Sequence, residues 1–222
     1  MTPTRMRAAI GRQMAASKRE IPHFYVGTEI VMDGALAELR NLSARPNPGV
    51  RITMSALLIH RLASTLREHR AFNAVATVDG YVIVDVVNIG VAIALEDGLI
   101  APALLDADSM DVEAIASALA DLVARSRAGR LRSAELTGAT FTLSNLGMFH
   151  VSAFAAIVPP PQVGILAVGR AAARPVVEGG EVVIRHVMTA TLAADHRAVD
   201  GAQAARFLDT FRELIEGPDR PG

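Results

Sequence analysis

Residues 194–201 have the sequence ADHRAVDG and join two elements that the flanking pattern predicts. An apolar run at residues 187–193 predicts a strand before them, and an amphipathic pattern at residues 200–216 predicts the final helix after them. Asp200 is suited to cap that helix. A turn that is held on both sides presents His196 rigidly, so His196 is a candidate general base. An exposed polar turn is the alternative, and the local pattern leaves both interpretations open.

Helical and strand patterns alternate along the rest of the chain. Apolar residues spaced three and four apart predict helices at residues 4–18, 34–42, 53–69, 111–127 and 200–216. Runs rich in Val and Ile predict strands at residues 23–32, 81–84, 87–95, 99–105, 140–143, 163–168, 175–177, 182–184 and 187–193. Turn sequences predict hairpins at residues 79–80, 97–98 and 178–181 and a loop at residues 46–49. This order predicts an α/β fold with a mixed sheet, and no glycine-rich nucleotide-binding loop is present.

The composition predicts one globular domain over residues 1–222. The chain is 51% hydrophobic, which excludes disorder. Lys and Arg number 22 against 23 Asp and Glu, so the net charge of -1 provides no basic field for nucleic acid or an anionic membrane. The N-terminus lacks an uninterrupted apolar run, and the least charged stretch, residues 151–169, is broken by three prolines at residues 159–161. These patterns favour a cytoplasmic protein without a membrane segment.

The histidines and cysteines give no indication of a metal site. The chain has no cysteine, which excludes disulfides and thiolate ligands. His60 and His69 are nine residues apart on one predicted helix, so they face opposite sides and cannot share a metal ion. No other spacing of the six histidines is typical of metal binding. His23, beside Pro22 at a strand start, is expected to be packed or half-exposed rather than catalytic.

The turn and five other segments resemble one family. His196, Asp200 and Gly201 match the His-x-x-x-Asp-Gly motif of the chloramphenicol acetyltransferase superfamily, and residues 194–202 resemble the dihydrolipoamide acyltransferases of 2-oxoacid dehydrogenase complexes. The other similar segments are SKREIPHF at 17–24, NIGVA at 88–92, DGLIAP at 97–102, TFTLSNLGMF at 140–149 and IVPPPQVGILAVG at 157–169. The resemblance implies the chloramphenicol acetyltransferase-like fold, a two-layer sandwich in which helices pack on a mixed sheet.

The resemblance assigns roles to three residues. His196 would be the general base that deprotonates the attacking thiol or alcohol, a role worth roughly 10²–10⁴-fold in rate. Ser144 would donate a hydrogen bond to the oxyanion of the tetrahedral intermediate, which is worth roughly 10²–10³-fold. The alternatives for Ser144 are a strand-end hydroxyl that satisfies local backbone and, as a minority interpretation, a serine acyl-enzyme. Asp200 would support the turn through an ion pair with Arg7 or Arg12.

Three positions depart from the family pattern. Gln13 stands where the family usually has an arginine, which alters the expected ion-pair network of Asp200. His150 replaces a common glycine and Pro159 replaces a common asparagine. Both flank the substrate channel that the resemblance implies, so Asn145, His150 and Pro159 are the candidate substrate-pocket residues. No residue is assigned to coenzyme A binding.

The resemblance also implies an assembly and a reaction scheme. In this family the active site lies in a channel between neighbouring subunits of a trimer. Coenzyme A enters from one end and the acyl acceptor from the other, and both meet at the base without a covalent enzyme intermediate or a metal. We therefore expect acetyl-coenzyme A as a substrate, ternary-complex kinetics, and a homotrimer or larger homo-oligomer.

The resemblance leaves two acceptors open, an alcohol and a carrier-bound thiol. Complete family members carry the acyl group on a lipoyl domain, which is followed by a small peripheral subunit-binding domain, and we expect neither domain here. Lys18, the only lysine, ends a predicted helix, so no covalently attached lipoyl group is predicted. We favour a stand-alone O-acetyltransferase that acts on a small-molecule, tetronate-type hydroxyl in specialised metabolism. The alternative is the dihydrolipoamide acyltransferase core of a 2-oxoacid dehydrogenase complex, with a carrier-bound thiol as acceptor. A non-catalytic trimeric scaffold is the least favoured interpretation.

Overall fold

A computed structural model describes residues 4–44, 50–95 and 98–217. Its helices are α1 (Arg5–Glu20), α2 (Asp33–Ser43), α3 (Met54–Glu68), α4 (Val112–Arg127), α5 (Ser133–Thr137) and α6 (Gly201–Glu216). Its strands are β1 (His23–Val31), β2 (Ala74–Thr77), β3 (Gly80–Ile83), β4 (Ile89–Val91), β5 (Ile93–Leu95), β6 (Gly98–Ile100), β7 (Ala103–Leu104), β8 (Phe141–Asn145), β9 (Gly164–Val168), β10 (Ala172–Glu178) and β11 (Glu181–Asp195). The predicted loop at residues 46–49 lies outside the described residues.

The main sheet is mixed, as the sequence predicts. It has seven strands, in the order β1-β11-β9-β8-β4-β7, with β10 paired to the outer part of β11. The pairs β4–β8 and β8–β9 are parallel, and the other pairs are antiparallel. Two separate hairpins, β2–β3 and β5–β6, flank this sheet. The strand β11 therefore runs opposite to β8, and this direction decides where the candidate site residues lie.

One face of the sheet carries the main core. Side chains alternate between the two faces of a strand, so Phe141 and Leu143 of β8 enter the core. Phe207 of α6 is fully buried against them, with its ring centroid 5.7 Å from that of Phe141 and 4.6 Å from that of Phe72. The helices α3, α4 and α6 supply most of the apolar side chains that cover this face. This helical layer on a mixed sheet confirms the predicted fold class.

The opposite face of the sheet is only partly covered, and it is called the cavity face below. A small cluster of Ile21, Val158, Ile165 and Ala193 packs on it beside β9 and β11. Residues Thr142 and Ser144 of β8 lie on this same face, because they alternate with the two core residues of the strand. The cavity face therefore carries the candidate catalytic serine.

Several predicted strands are divided or merged in the structure. The run at residues 87–95 forms two strands, because β4 pairs with β8 in the main sheet and β5 pairs with β6. Residues 99–105 are likewise split between β6 and β7. Residues 182–184 and 187–193 instead belong to one strand of 15 residues, β11, which pairs first with β10 and then with β1. Pairing partners, which local pattern does not specify, set these boundaries.

The predicted hairpin tip at residues 178–181 is present between β10 and β11. Gly179 and Gly180 have φ angles of 58° and 86°, a left-handed conformation that glycine adopts without strain. The hairpin predicted at residues 79–80 joins β2 to β3, and Gly80 there has a φ of 130°. Asp97 of the third predicted hairpin lies outside the described residues, although the two strands on either side of it do pair. The short helix α5 and the strand β2 were not predicted.

Candidate active site

His196 follows β11 directly, in a turn that leads to α6. Its side chain is exposed, and its backbone N–H donates a hydrogen bond to the carbonyl oxygen of Pro22 at 3.1 Å. The imidazole centroid lies 4.8 Å from the ring of Phe24, at an angle of 60° between the planes. The pairing of β1 with β11 creates both contacts, because His23 lies opposite Asp195. The strand–turn–helix arrangement predicted from residues 194–201 therefore presents the imidazole to solvent.

Asp195 holds this turn from beneath. Its side chain is 2% exposed and accepts hydrogen bonds from the backbone N–H, Nε and Nη2 of Arg197, at 3.0, 3.0 and 2.7 Å. The Tyr81 hydroxyl of β3 donates to Asp195 Oδ2 at 2.8 Å. Burial alone would raise the pKa of Asp195, but the hydrogen bonds from Arg197 and Tyr81 outweigh it, so the pKa lies below its usual range. Sequence reasoning missed this network.

The contribution of Tyr81 to the turn can be measured directly. Replacing Tyr81 with Phe is expected to lower the free energy of unfolding by about 1–2 kcal/mol, because Asp195 loses a hydrogen bond to its buried carboxylate. Urea unfolding of Tyr81→Phe and of the matched Tyr25→Phe variant provides the comparison. The Tyr25 hydroxyl is exposed and contacts Lys18, so its loss should cost less. Equal losses in the two variants would contradict the proposed contribution of Tyr81.

The pH dependence of the Tyr81 effect follows from the lowered pKa of Asp195. A carboxyl group with a lowered folded-state pKa stabilises the folded state above its unfolded-state pKa, and that stabilisation is lost as the pH falls through the folded-state value. The difference in the free energy of unfolding between wild type and Tyr81→Phe should therefore be largest at neutral pH and become smaller in acid.

Asp200 caps α6 rather than forming the expected ion pair. Its side chain accepts a hydrogen bond from the backbone N–H of Gln203 at 2.8 Å, and the Gln203 side chain accepts one from the Asp200 N–H at 2.9 Å. Within the described part of the chain no ion pair joins Asp200 to Arg7 or Arg12, so the expected partner arginine is not found there. A capping box fixes the first turn of α6, which leaves Asp200 as a support for the end of the His196 turn.

Ser144 lies in a cavity of about 550 Å³ on the cavity face of the sheet. The walls come from α1, the β5–β6 hairpin, α5, β8 and the loop before β9. The lining residues are Ile10, Gln13, Met14, Ala92, Leu99, Ile100, Ala101, Pro102, Leu136, Thr137, Ala139, Thr142, Ser144, Ala156, Ile157, Pro159, Pro160, Pro161, Gln162 and Ile165. This mostly apolar wall with a few polar groups is typical of a small-molecule site.

The three candidate pocket residues differ in their positions. Pro159 lines the cavity. Asn145 does not, since its amide nitrogen donates to the Ser55 hydroxyl at 3.0 Å and its oxygen accepts from the Gly147 N–H at 2.7 Å. His150 also lies outside the cavity, with Nδ1 2.6 Å from Nη1 of Arg170. A substrate contact for any of the three stays a prediction.

His23 stabilises the loop that carries Pro159. Its Nδ1 lies 2.9 Å from the Ile21 carbonyl oxygen, and its Nε2 accepts a hydrogen bond from the Val158 N–H at 3.0 Å. The buried Ser17 hydroxyl donates to the Val158 carbonyl oxygen at 2.6 Å. Both polar groups of the Val158 backbone are thus satisfied, which fixes the start of the proline segment against the cavity. His23 is packed, as its sequence context predicts.

Ser144 and His196 lie far apart within one chain. Ser144 pairs with Ala167, which pairs with Thr191, and His196 comes five residues after Thr191. A rise of about 3.3 Å per residue over that stretch, with two strand spacings of about 4.8 Å, separates the two residues by roughly 15–20 Å. Since β8 and β11 run in opposite directions, Ser144 and His196 lie toward opposite ends of the strands. Neither side chain is long enough to bridge that distance.

In residues 4–44, 50–95 and 98–217, no group of three or more His, Asp or Glu side chains could hold a metal ion. In the same ranges, no helix has the length and apolar character needed to cross a membrane.

Comparison with known proteins identifies the family. The model of the 2-oxoacid dehydrogenases acyltransferase (catalytic domain) family matches residues 1–221. This chain belongs to the 2-oxoacid dehydrogenase acyltransferase family. The family assignment confirms the resemblance found in the sequence. The matched residues include both the strand–turn–helix unit of His196 and the strand of Ser144.

Curated relatives in the family are acetyltransferase components. The chain is 37% identical over 216 residues to the dihydrolipoyllysine-residue acetyltransferase component of the pyruvate dehydrogenase complex of Zymomonas mobilis, which covers 96% of this chain and 49% of that protein. It is 38% identical over 221 residues to component 4 of the chloroplastic complex of Arabidopsis thaliana, covering 97% and 44%. The chain therefore spans about half the length of the curated relatives it matches.

Solved structures agree with the family assignment. A probable dihydrolipoamide acetyltransferase from Listeria monocytogenes superposes with a TM-score of 0.93 at 28% identity, covering 100% of this chain and 97% of that one. The dihydrolipoamide acetyltransferase of Azotobacter vinelandii, whose structure concerns the role of a serine, a histidine and an asparagine in its catalytic mechanism, gives 0.93 at 29% identity, covering 97% and 90%. Chloramphenicol acetyltransferase, at 12% identity with a TM-score of 0.62 and coverage of 92% and 94%, shares the fold.

Proposed function

We propose that this chain is the catalytic domain of an acyl-coenzyme A-dependent acyltransferase of the dihydrolipoamide acetyltransferase type. The presentation of His196 at the carboxyl end of β11, in a turn held by Asp195 and Asp200, is the observation that carries the proposal. The mechanistically studied serine and histidine of the Azotobacter vinelandii protein have the same separation in sequence as Ser144 and His196. Its asparagine follows the histidine at the spacing of Asp200, so an aspartate takes that place here.

The proposed reaction needs one base and one hydrogen-bond donor. The His196 imidazole takes the proton from the acceptor thiol, and the resulting thiolate attacks the thioester carbonyl carbon of acetyl-coenzyme A. The carbonyl oxygen becomes an oxyanion, to which the Ser144 hydroxyl donates a hydrogen bond. The tetrahedral intermediate then breaks the bond to the coenzyme A sulfur, which receives the proton from the imidazolium. The acetyl group passes directly between the two sulfurs within a ternary complex.

The distance between Ser144 and His196 requires that two copies share each site. A neighbouring chain must supply the serine that acts with a given His196, and a closed homotrimer provides one such interface for each chain. The cubic core of a pyruvate dehydrogenase complex, which superposes with a TM-score of 0.93, supports a homo-oligomeric assembly. In this arrangement the cavity of one chain faces the imidazole of its neighbour.

Mixing two inactive variants tests the shared site. Trimers assembled at random from equal amounts of His196→Ala and Ser144→Ala chains should contain about a quarter of their sites with both residues intact. The acetyl-transfer rate of the mixture should therefore rise to about a quarter of the wild-type rate, far above either variant alone. Mixed oligomers without such a rise would show that one chain supplies both residues or that the pair is not catalytic.

The relatives favour a dihydrolipoyl thiol over an alcohol as the acceptor. The preferred expectation from the sequence, a stand-alone O-acetyltransferase acting on a tetronate-type hydroxyl, finds no support in the comparisons, whereas the curated relatives are dihydrolipoyllysine-residue acetyltransferases. Acetyl-coenzyme A should therefore be consumed with dihydrolipoamide and not with a hydroxymethyl tetronate. Efficient use of the alcohol alone would overturn this choice. A cytoplasmic location stays a prediction.

A further inference from the structure

The wall of the Ser144 cavity contains a second polar group, the carboxamide of Gln162. Gln162 is only 7% exposed and contributes to the cavity wall between Pro161 and β9. Most of the surrounding wall is apolar. A carboxamide in such a wall is unfavourable unless its hydrogen-bonding groups are satisfied.

Both the backbone and the side chain of Gln162 are held in place. Its N–H donates to the Pro159 carbonyl oxygen at 3.0 Å, and the backbone forms a bridge with Val75 of β2. The buried Thr142 hydroxyl donates to Gln162 Oε1 at 2.6 Å. The carboxamide is therefore fixed in orientation, with its oxygen toward β8.

The amide nitrogen of Gln162 remains available for a ligand. Within residues 4–44, 50–95 and 98–217, no side chain or backbone oxygen accepts a hydrogen bond from Nε2. The other glutamine in the wall, Gln13, already donates to the Pro160 carbonyl oxygen at 3.5 Å. A fixed donor that lacks an acceptor in a small cavity matches a ligand carbonyl at that point.

The position of Gln162 relative to Ser144 indicates which part of a substrate it meets. Thr142 and Ser144 are two residues apart on the same face of β8, so their hydroxyls are about 7 Å apart along the strand. Gln162 accepts a hydrogen bond from Thr142, so it lies close to the place beside Ser144 where the thioester carbonyl carbon would react. A substrate arm that enters the cavity must pass this donor.

We propose that the Gln162 carboxamide binds the amide carbonyl of a thiol-bearing substrate arm and so sets the position of its sulfur at Ser144. The inference rests on the proposed acyl-transfer function. Two substrates of that reaction share the required chemistry, since dihydrolipoamide and the pantetheine arm of coenzyme A each carry an amide carbonyl on the chain that ends in sulfur. In the pantetheine arm the amide nitrogen and a short methylene spacer separate the carbonyl from the sulfur, and in dihydrolipoamide a longer hydrocarbon chain does. The Thr142 hydroxyl acts through Gln162 as a positioning group.

Gln162→Met tests the contact because methionine keeps the side-chain length and removes the donor. The KM of the substrate whose amide is bound should rise about tenfold with little change in kcat, since an interaction made throughout the reaction is lost. The KM values of dihydrolipoamide and acetyl-coenzyme A are measured separately, each with the other substrate saturating. Octane-1,3-dithiol, which has no amide, replaces dihydrolipoamide in a third series.

The three series distinguish the two arms. If the KM rises for dihydrolipoamide but not for octane-1,3-dithiol, the result supports binding of the lipoyl amide. If the KM rises only for acetyl-coenzyme A, the result supports binding of the pantetheine amide. An unchanged KM for both substrates overturns the inference, as does an equal rise with dihydrolipoamide and with octane-1,3-dithiol.

Variants of Thr142 provide the matched control. Thr142→Val should raise the same KM as Gln162→Met, because Oε1 loses the donor that orients the carboxamide, while Thr142→Ser should keep the wild-type KM. Thermal unfolding of each variant checks that the fold is intact. A wild-type chain that transfers no acetyl group would defeat the proposed function itself. Wild-type turnover with an unaffected Gln162→Met variant would defeat this inference alone.

Discussion

Replacing His196 with alanine is expected to lower kcat for acetyl transfer by roughly 10²–10⁴-fold, because the acceptor thiol loses its general base. The effect should be larger at lower pH, where less of the thiol ionises without assistance. Chromatography measures the consumption of acetyl-coenzyme A. A chromogenic disulfide is unsuitable for detecting the released coenzyme A, because it also reacts with the dithiol acceptor.

A matched histidine variant separates the loss of a base from a change in the fold. His60 lies on α3, and its Nδ1 is 3.2 Å from Nη1 of Arg61, away from the cavity and the β11 turn. His60→Ala should therefore keep the wild-type rate. The exposed position of His196 means that its replacement leaves no buried void, so the thermal midpoint should change little. A His196→Ala variant with the wild-type rate would show that His196 is not the general base of the reaction.

Replacing Ser144 with alanine is expected to lower kcat by roughly 10²–10³-fold, because the oxyanion of the tetrahedral intermediate loses a hydrogen-bond donor. The KM values should change less, since this hydrogen bond strengthens as negative charge develops on the oxygen. Ser64→Ala is the control, because Ser64 is exposed on α3 and its hydroxyl donates to the His60 carbonyl oxygen. Steady-state rates at varied concentrations of both substrates measure the two parameters.

Kinetics and mass spectrometry of the wild-type chain distinguish an oxyanion donor from a nucleophile at Ser144. Direct transfer in a ternary complex gives intersecting double-reciprocal plots, whereas a serine acyl-enzyme gives parallel plots and an acetylated chain in the absence of acceptor. Wild-type chain mixed with acetyl-coenzyme A alone should therefore gain no acetyl group by mass spectrometry. A stable acetyl group on Ser144 would replace the proposed mechanism with a two-step one.

Local sequence patterns were sufficient for the elements that carry the site. Apolar periodicity located α3, α4 and α6, and the break between residues 187–193 and 200–216 located the His196 turn, because each pattern depends only on neighbouring residues. The boundary between β4 and β5 could not be found this way. Both strands are apolar, and what separates them is that their partners, β8 and β6, belong to different sheets.

The features missed at the site all depend on residues distant in sequence. Asp195 has the sequence context of an exposed polar turn, and only the approach of Tyr81 from 114 residues away reveals a buried carboxylate. Gln162 lies within a segment that resembles the family, but its contact with Thr142 depends on how β8 and β9 pair. The N-cap role of Asp200, in contrast, is predicted from the sequence, because the capping box joins Asp200 to Gln203 only three residues later.

Because β8 and β11 run in opposite directions, catalysis in the proposed scheme depends on the concentration of the protein. A solitary chain holds a base toward one end of the strands and a hydroxyl toward the other, so it has no complete reaction centre in the proposed scheme. Dilution below the dissociation constant of the oligomer would then abolish acetyl transfer without unfolding the chain. Surface substitutions at the subunit boundary, remote from every reacting atom, would act in the same way.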